Sequence, residues 1–204
     1  MPFTVSHAVV ALPFVRTPLV PAAIAVGAMT PDLPLFVRGT PVSYQLTHTN
    51  VAVAALIALG LLLLWYVMVR PAVRALAPSW LAARLPREWD VVAAPRWWRR
   101  HPAWLSTLLL VVSLVLGVLS HIAWDAFTHE GRWGAKLFPA LEEPWGPLIG
   151  IKWLQHGSSA LGLAIIAVWA LLWLRRRPRA PHVSRTPRWV GVVWIAALPV
   201  LLIT

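Results

Sequence analysis

The sequence predicts an all-α, polytopic membrane protein, a bundle of transmembrane helices. Hydrophobic residues make up 59% of the 204 positions. Charged residues make up only 12%, against about a quarter in soluble domains. Several uncharged apolar runs approach the ~20 residues that a spanning helix needs. Aromatic residues stand at the ends of these runs, as in an interfacial belt: Trp65, Tyr66, Trp104, Trp124, Trp173 and Trp189.

The beginning of the chain predicts a helical hairpin rather than one straight span. Residues 1–30 are apolar but contain Pro18 and Pro21. Proline inside a helix removes a hydrogen bond and clashes with the preceding turn. We therefore predict two short helices, at about 5–15 and 20–29, with a break between them. Each is about 15 Å long, half of a bilayer, so this re-entrant segment is expected to enter and leave on one side.

Four later apolar runs predict spanning helices. They cover residues 51–69, 103–124, 157–174 and 189–204. The last run is short, so we expect the chain to be a minimal or a truncated version of a longer protein. Together with the hairpin, the four spans form a single membrane domain over residues 1–204.

The positive charge is concentrated in two segments between the spans. Residues 70–102 contain seven arginines and residues 175–188 contain six, and these segments account for the whole net charge of +11. Such a distribution follows the positive-inside rule, so both segments are predicted to be basic cytoplasmic loops. Because the charge lies in loops between apolar runs, it does not indicate a nucleic-acid partner.

Seven ionisable residues are expected at the other, non-cytoplasmic ends of the helices. The segment SHIAWDAFTHEG, residues 120–131, follows an apolar run and contains histidine, aspartate and histidine at intervals of four. Side chains at this spacing share one face of a helix. Three more histidines and one aspartate begin or end the neighbouring helices. The complete set is His7, Asp32, His48, His121, Asp125, His129 and His156.

These residue types predict a site for a divalent metal ion, with zinc as the expected ion. Imidazole and carboxylate are ligands that suit zinc and similar ions. An ionisable group at the bilayer centre costs at least about 2.5 kcal/mol, so it usually marks a functional site or a paired residue. Each residue alone also fits a structural role. Asp32 fits a turn, and Asp125 fits an ion pair with Arg132 or Lys136.

Three residues near His156 are interpreted as supporting groups. Ser158 and Ser159 are expected to cap a helix or to form hydrogen bonds within its first turns. Gln155 is expected to orient His156.

Five segments resemble a bacterial membrane family, domain of unknown function 4184. They are MPFTVSH, GAMTPDLPLF, SYQLTHTN, SHIAWDAFTHEG and LQHGSSALG, in the order of the family. The family is similar in pattern to predicted inner-membrane metal-dependent hydrolases, and more distantly to zinc-dependent phospholipase C enzymes. The resemblance implies a multi-pass protein of the bacterial inner membrane. The polar core that it implies is His7, Asp32, His48, His121 and Asp125, followed by His129 and His156.

The chain departs from the hydrolase pattern at two positions. Pro34 stands where that pattern often has a second acid, and His48 stands alone where it has two histidines. Both departures remove ligands that a two-metal site would use.

Two functions are consistent with these observations. In the first, the protein is a metal-dependent hydrolase that acts on a lipid, or on a lipid-linked phosphate or ester, at the membrane interface. In the second, it is a non-catalytic scaffold or partner-binding protein whose cluster is a structural polar network. A transporter with an ion site at the midplane fits less well, because the cluster is expected at helix ends. Membrane lipid is the expected partner, and no nucleic acid is expected.

Overall fold

A computed structural model of the chain describes residues 3–37, 39, 41–89, 95 and 97–180. The predicted all-α membrane fold is confirmed, because regular structure in these residues is helical apart from one two-stranded hairpin. Three helices are long and apolar enough to cross a membrane, namely Val51–Leu76, Ala103–Thr128 and Gly150–Arg176. The span predicted at 189–204 lies outside the described residues.

The described chain begins with a 3₁₀ helix, Thr4–Phe14. The α-helices that follow are α1 (Pro21–Met29), α2 (Leu33–Phe36), α3 (Tyr44–Thr49), α4 (Val51–Leu64), α5 (Arg70–Leu76), α6 (Ser79–Ala82), α7 (Ala103–Thr128), α8 (Trp133–Leu137) and α9 (Gly150–Arg176). Single turns lie between them at Thr30–Asp32, Trp65–Val69, Arg87–Trp89 and Pro139–Leu141. The antiparallel strands β1 (Pro144–Trp145) and β2 (Leu148–Ile149) precede α9.

The N-terminal hairpin consists of the 3₁₀ helix and α1, which correspond to the segments predicted at 5–15 and 20–29. Pro21 is the first residue of α1. A backbone N–H at this position has no acceptor within the helix, so proline, which has no N–H, removes no hydrogen bond here. The N–H of Val20 donates instead to the hydroxyl of Ser113 on α7, over 2.9 Å. This buried bond fixes the beginning of α1 against the middle of α7.

Two glycines allow α1 to pack closely against α7. A Cβ atom on Gly27 would lie 2.5 Å from the carbonyl oxygen of Leu114, and one on Gly117 would lie 2.8 Å from the backbone nitrogen of Ala28. Neither position has space for a larger residue. Small residues permit this close backbone approach between helices in membranes. As a result, the end of α1 and the turn after it lie against the part of α7 that carries His121.

Apolar side chains of α1, α4 and α7 form the main core, which contains Val20, Ala23, Ala58, Leu62 and Leu114. The outer faces of the long helices are apolar as well. Leu56, Leu108 and Leu161 are each more than half exposed. Exposed apolar faces on all three long helices are what contact with lipid requires.

The segment predicted as a basic loop at 70–102 begins as helix, which corrects that interpretation. The chain continues from α4 through a π-helical turn into α5, so Arg70 and Arg74 belong to a spanning helix. Both are buried. The guanidinium of Arg74 donates to the carbonyl oxygens of Ala82, over 3.1 Å, and of Leu85. The helix extends further than the apolar run because the segment after it folds back and supplies these acceptors.

The boundaries of the other two spans also differ from the predicted ones. The span predicted at 157–174 begins earlier, at Gly150, and the span predicted at 103–124 extends to Thr128. Polar side chains marked the ends of the apolar runs in the sequence. In the structure these side chains lie on the helices, because the helices extend beyond the apolar runs. Of the loop predicted at 175–188, the structure describes only residues 175–180.

The long helices alternate in direction, so their ends fall into two groups. One group contains the end of α3, the end of α7 and the beginning of α9. The other contains the arginine-rich ends, where the N–H of Ala180 after α9 donates to the carbonyl oxygen of Ala83, over 2.8 Å. A helix of 26 residues such as α7 is about 39 Å long, which is enough to separate the two groups of ends by the thickness of a bilayer, about 30 Å.

Candidate metal centre

Four buried side chains from three parts of the fold meet at one end of the bundle. Ligand atoms of Asp32, His48, His121 and Asp125 all lie within 4.8 Å of one another. Asp32 comes from the turn after α1, His48 comes from α3, and the other two lie one turn apart on α7. We call these four residues the His/Asp cluster. Its donor atoms are two imidazole nitrogens and the oxygens of two carboxylates.

The orientation of the His121 ring is fixed by a backbone carbonyl. Its Nδ1 lies 2.7 Å from the carbonyl oxygen of Ala28. That oxygen can only accept, so Nδ1 carries the hydrogen and Nε2 faces the cluster. The Nε2 atom lies 3.3 Å from Asp125 Oδ2 and 3.6 Å from Asp32 Oδ1, but it is buried without a hydrogen bond. A ring nitrogen that faces two carboxylates in this way is placed to share a cation with them.

The His48 ring has the same arrangement. Its Nδ1 lies 2.9 Å from the carbonyl oxygen of Tyr44, and its Nε2 lies 3.4 Å from Asp125 Oδ2. Ser43 caps the first turn of α3 by accepting from the N–H of Leu46. The hydroxyl of Thr47 donates to the carbonyl oxygen of Pro31, over 2.8 Å, and so ties α3 to the turn that carries Asp32. Both cluster histidines therefore direct Nε2 towards the carboxylates.

The two carboxylates are oriented by hydroxyl groups. Thr4 Oγ1 donates to Asp32 Oδ2 over 2.7 Å, and the Tyr44 hydroxyl donates to Asp125 Oδ2 over 3.4 Å. Asp125 Oδ1 is buried and has no hydrogen-bond partner within the residues that the structure describes. The ion pair considered between Asp125 and Arg132 or Lys136 is not formed, because the neighbours of this carboxylate are histidines and Tyr44.

Two further predicted residues lie beside the cluster. The ring of His7 is buried against that of His121, with 4.2 Å between the ring centroids, and its Nε2 has no hydrogen-bond partner. His129 follows the last residue of α7 and is half-buried, with Nδ1 3.6 Å from Asp125 Oδ2. Of the three residues predicted to share one helix face, only His121 and Asp125 lie on α7. His129 lies beside the Asp125 carboxylate from just beyond the end of the helix.

The structure does not bring His156 to the cluster. His156 is exposed within α9, whereas Gln155 is buried. Successive helical residues point about 100° apart, so a helix that buries Gln155 here turns His156 outwards. The expected bond from Gln155 to His156 is replaced by one in which Lys152 Nζ donates to Gln155 Oε1, over 3.3 Å. The hydroxyls of Ser158 and Ser159 both donate to the carbonyl oxygen of Gln155.

Tyr44 is a site residue that the sequence reasoning missed. Its ring stacks on that of His48, with 3.8 Å between centroids. Burial, helped by the negative charge of Asp125, raises the pKa of Tyr44 to about 12, so its hydroxyl stays a donor at neutral pH. The signal was present, because Tyr44 precedes His48 by four residues and so shares its helix face.

Two cavities adjoin the cluster. The first has a volume of about 440 Å³, and its lining includes Asp32, Tyr44, His129, Arg132 and Lys152. We call it the polar cavity. The second, of about 340 Å³, runs between the 3₁₀ helix, α7 and α9. We call it the apolar groove, and its lining includes His7, Val9, Val10, Trp124, Leu161 and Ile165. Asp32 of the cluster thus lines the polar cavity, and His7, whose ring lies against that of His121, lines the apolar groove.

Comparison with known families assigns the whole chain. The profile of one family, Domain of unknown function (DUF4184), matches residues 1–204. The chain belongs to this family. The assignment confirms the resemblance seen in the sequence and places the His/Asp cluster in a DUF4184 protein. Comparisons with curated proteins and with solved structures gave no significant match.

Proposed function

We propose that this DUF4184 protein binds a divalent metal ion through its His/Asp cluster and uses it to hydrolyse a lipid or a lipid-linked phosphate or ester. One observation carries the proposal. The two cluster histidines are both anchored through Nδ1 to backbone carbonyls, and both direct Nε2 towards Asp125.

The donor set fits a divalent ion. Two imidazoles and two carboxylates match the nitrogen and oxygen ligands of zinc, and the chain has no cysteine. The bonds from each Nδ1 to a carbonyl fix the tautomer, as they do for metal-binding histidines in general. Two buried polar atoms of the cluster, His121 Nε2 and Asp125 Oδ1, lack hydrogen-bond partners in the described part of the chain. Buried polar atoms are rarely left unsatisfied, and a bound cation would satisfy both.

The position of the cluster beside an open cavity supports hydrolysis as the proposed reaction. A divalent ion at such a site lowers the pKa of a bound water and polarises a phosphoryl or acyl oxygen. The chain supplies the other groups. The Tyr44 hydroxyl holds Asp125 in place, and His129 lines the polar cavity, where its imidazole can take a proton from water and pass one to the leaving group.

The apolar groove supports a lipid as the source of the substrate. Its walls are the 3₁₀ helix and two spanning helices, and it leads to His7, which stacks on His121. We assign the groove to an acyl chain of the substrate. By the positive-inside rule the arginine-rich ends are cytoplasmic, so we place the cluster at the non-cytoplasmic face of a bacterial inner membrane.

Metal analysis of the purified protein tests this proposal. Wild-type protein in detergent should retain about one divalent ion per chain after dialysis. The double variant His121→Ala, Asp125→Ala should retain none, while His156→Ala, which changes a histidine outside the cluster, should retain the wild-type amount. Wild-type protein without metal, or a double variant with unchanged metal content, would contradict the proposal.

A structural polar network is the second candidate function. The bonds from Thr4 to Asp32 and from Thr47 to Pro31 join the N-terminal hairpin to α3 without any ion. In a scaffold, these bonds and the His–Asp contacts would serve only to hold the helix ends together. The substitution of Asp125 by asparagine separates the two candidates, because it removes a charged ligand but keeps the shape of the side chain.

A further inference from the structure

Two basic side chains in the polar cavity have no acidic partner among the described residues. Arg132 and Lys152 are both half-buried and line the same cavity as Asp32. Neither forms an ion pair within the described part of the chain. The guanidinium of Arg132 lies 6.0 Å from the centre of the Tyr44 ring, and Lys152 Nζ donates to the neutral amide of Gln155. Both charged groups can therefore bind an anion that enters the cavity.

The charge of the cavity indicates the sign of that partner. The two carboxylates of the cluster balance the charge of a divalent ion. Arg132 and Lys152 then add two positive charges, against one negative charge from Glu130, which is exposed at the cavity edge. A neutral carboxylic ester would gain little binding energy from this excess of positive charge. A phosphate group gains charge-assisted hydrogen bonds, because its oxygens accept from a planar guanidinium and from an ammonium group.

We infer that the substrate is a phosphate ester and that Arg132 and Lys152 bind its non-bridging oxygens. This inference rests on the proposed function and narrows it from phosphates and esters in general to phosphates. In the reaction, water forms a new P–O bond and the P–O bond to the alcohol breaks. The alcohol oxygen takes up the proton that the water loses, so the products are an alcohol and a phosphate, and no oxidant or reductant takes part.

Binding measurements on the zinc-loaded full chain test the inference. The probes are phosphatidic acid in neutral detergent micelles, inorganic phosphate, and diacylglycerol as the lipid without phosphate. The variants are Arg132→Gln, Lys152→Gln and their combination. Lys136→Gln is the matched control, because Lys136 is exposed on α8 and does not line the cavity. Bound zinc is measured in the same samples.

Each cavity substitution should raise the Kd for phosphatidic acid by about ten- to hundredfold, with bound zinc and diacylglycerol binding unchanged. Lys136→Gln should behave as wild type. Tighter binding of phosphatidic acid than of inorganic phosphate assigns the site to a lipid headgroup, and equal binding assigns it to phosphate in any form. Unchanged phosphate binding in the double variant overturns the inference while the metal site stands. Absence of zinc from the wild type overturns the proposed function itself.

Discussion

His48 Nε2 lies 3.4 Å from Asp125 Oδ2, although 77 positions separate the two residues in the chain. The contact depends on the turn Thr30–Asp32, which packs against both α3 and α7. Thr47 ties α3 to the turn that carries Asp32, and the glycines of α1 and α7 bring that turn against His121. The site is therefore a product of the assembled bundle, and each of its parts can be tested by a single substitution.

Loss of one imidazole should weaken the binding of the metal. We expect His121→Gln to weaken zinc binding by at least about 100-fold, because even changes to groups that only orient ligands cost 10- to 100-fold. Competition with a zinc chelator measures the affinity. His156→Gln is the matched control and should bind as wild type, since His156 is exposed on α9. Equal loss in both variants would show that the effect is not specific to the cluster.

The substitution Asp125→Asn separates a metal site from a structural network. Asparagine has nearly the shape of aspartate but no charge, so we expect zinc binding to be lost. The unfolding midpoint of the metal-free protein should shift by only a few degrees, which is about 1 kcal/mol for a chain of this size. Metal analysis and thermal unfolding in detergent measure the two effects. Full retention of zinc in this variant would show that Asp125 does not hold the ion, whereas absence of zinc from both the wild type and the variant would favour the scaffold.

The Tyr44 hydroxyl should support the site without being a ligand. Tyr44→Phe removes the donor to Asp125 but keeps the ring that stacks on His48. We expect a 10- to 100-fold lower zinc affinity, as for other groups that orient ligands. The chelator competition used for His121 gives the value. A control is Tyr66→Phe, since Tyr66 lies at the arginine-rich end and should leave zinc affinity unchanged.

Close packing of α1 on α7 should be required for stability. In Gly117→Ala the new methyl group would collide with the backbone of α1, so we expect a loss of about 1–3 kcal/mol, as for other overpacked sites. Gly60→Ala is the matched control on α4, where a Cβ meets no atom within 4 Å. That change should be neutral or should stabilise by about 0.5–1 kcal/mol. Thermal unfolding of both variants compares them, and equal stability would refute this packing.

A narrower apolar groove should slow hydrolysis only of substrates with long acyl chains. Leu161→Trp narrows the groove, so hydrolysis of a long-chain phosphatidic acid should slow by about tenfold or more, because a blocked apolar subsite costs at least 1–3 kcal/mol. Hydrolysis of a short-chain, water-soluble phosphate ester should not change. Val168→Trp is the control, because Val168 is exposed on α9 outside the groove. A similar loss for both substrates would argue against an acyl chain in the groove.

Most of the fold was predictable because a bilayer imposes simple rules on sequence. Apolar runs of sufficient length identified α4, α7 and α9, and the prolines identified the break before α1. The meeting of Asp32, His48, His121 and Asp125 followed from placing polar residues at one set of helix ends. Their partners were harder to predict, because the groups that orient both imidazoles are backbone carbonyls and leave no trace in the sequence.

Correct prediction of the remaining site residues required the exact positions at which the helices begin and end. The predicted start of α9 lay after His156, which made His156 a helix-end residue. Its true start at Gly150 turns Gln155 inwards and places Lys152 at the polar cavity. Arg132 was considered only as a partner of Asp125. Its position beside Tyr44 is set by the loop between α7 and α8, which no periodic pattern predicts.

X-ray absorption at the zinc edge tests the central claim most directly. For wild-type protein loaded with zinc, we predict nitrogen and oxygen ligands at about 2.0–2.2 Å, with outer-shell scattering from two imidazoles. The spectrum of His121→Gln should show one imidazole fewer, and that of His156→Gln should match the wild type. A spectrum without imidazole scattering, or one that His121→Gln leaves unchanged, would contradict the claim that this cluster holds the ion.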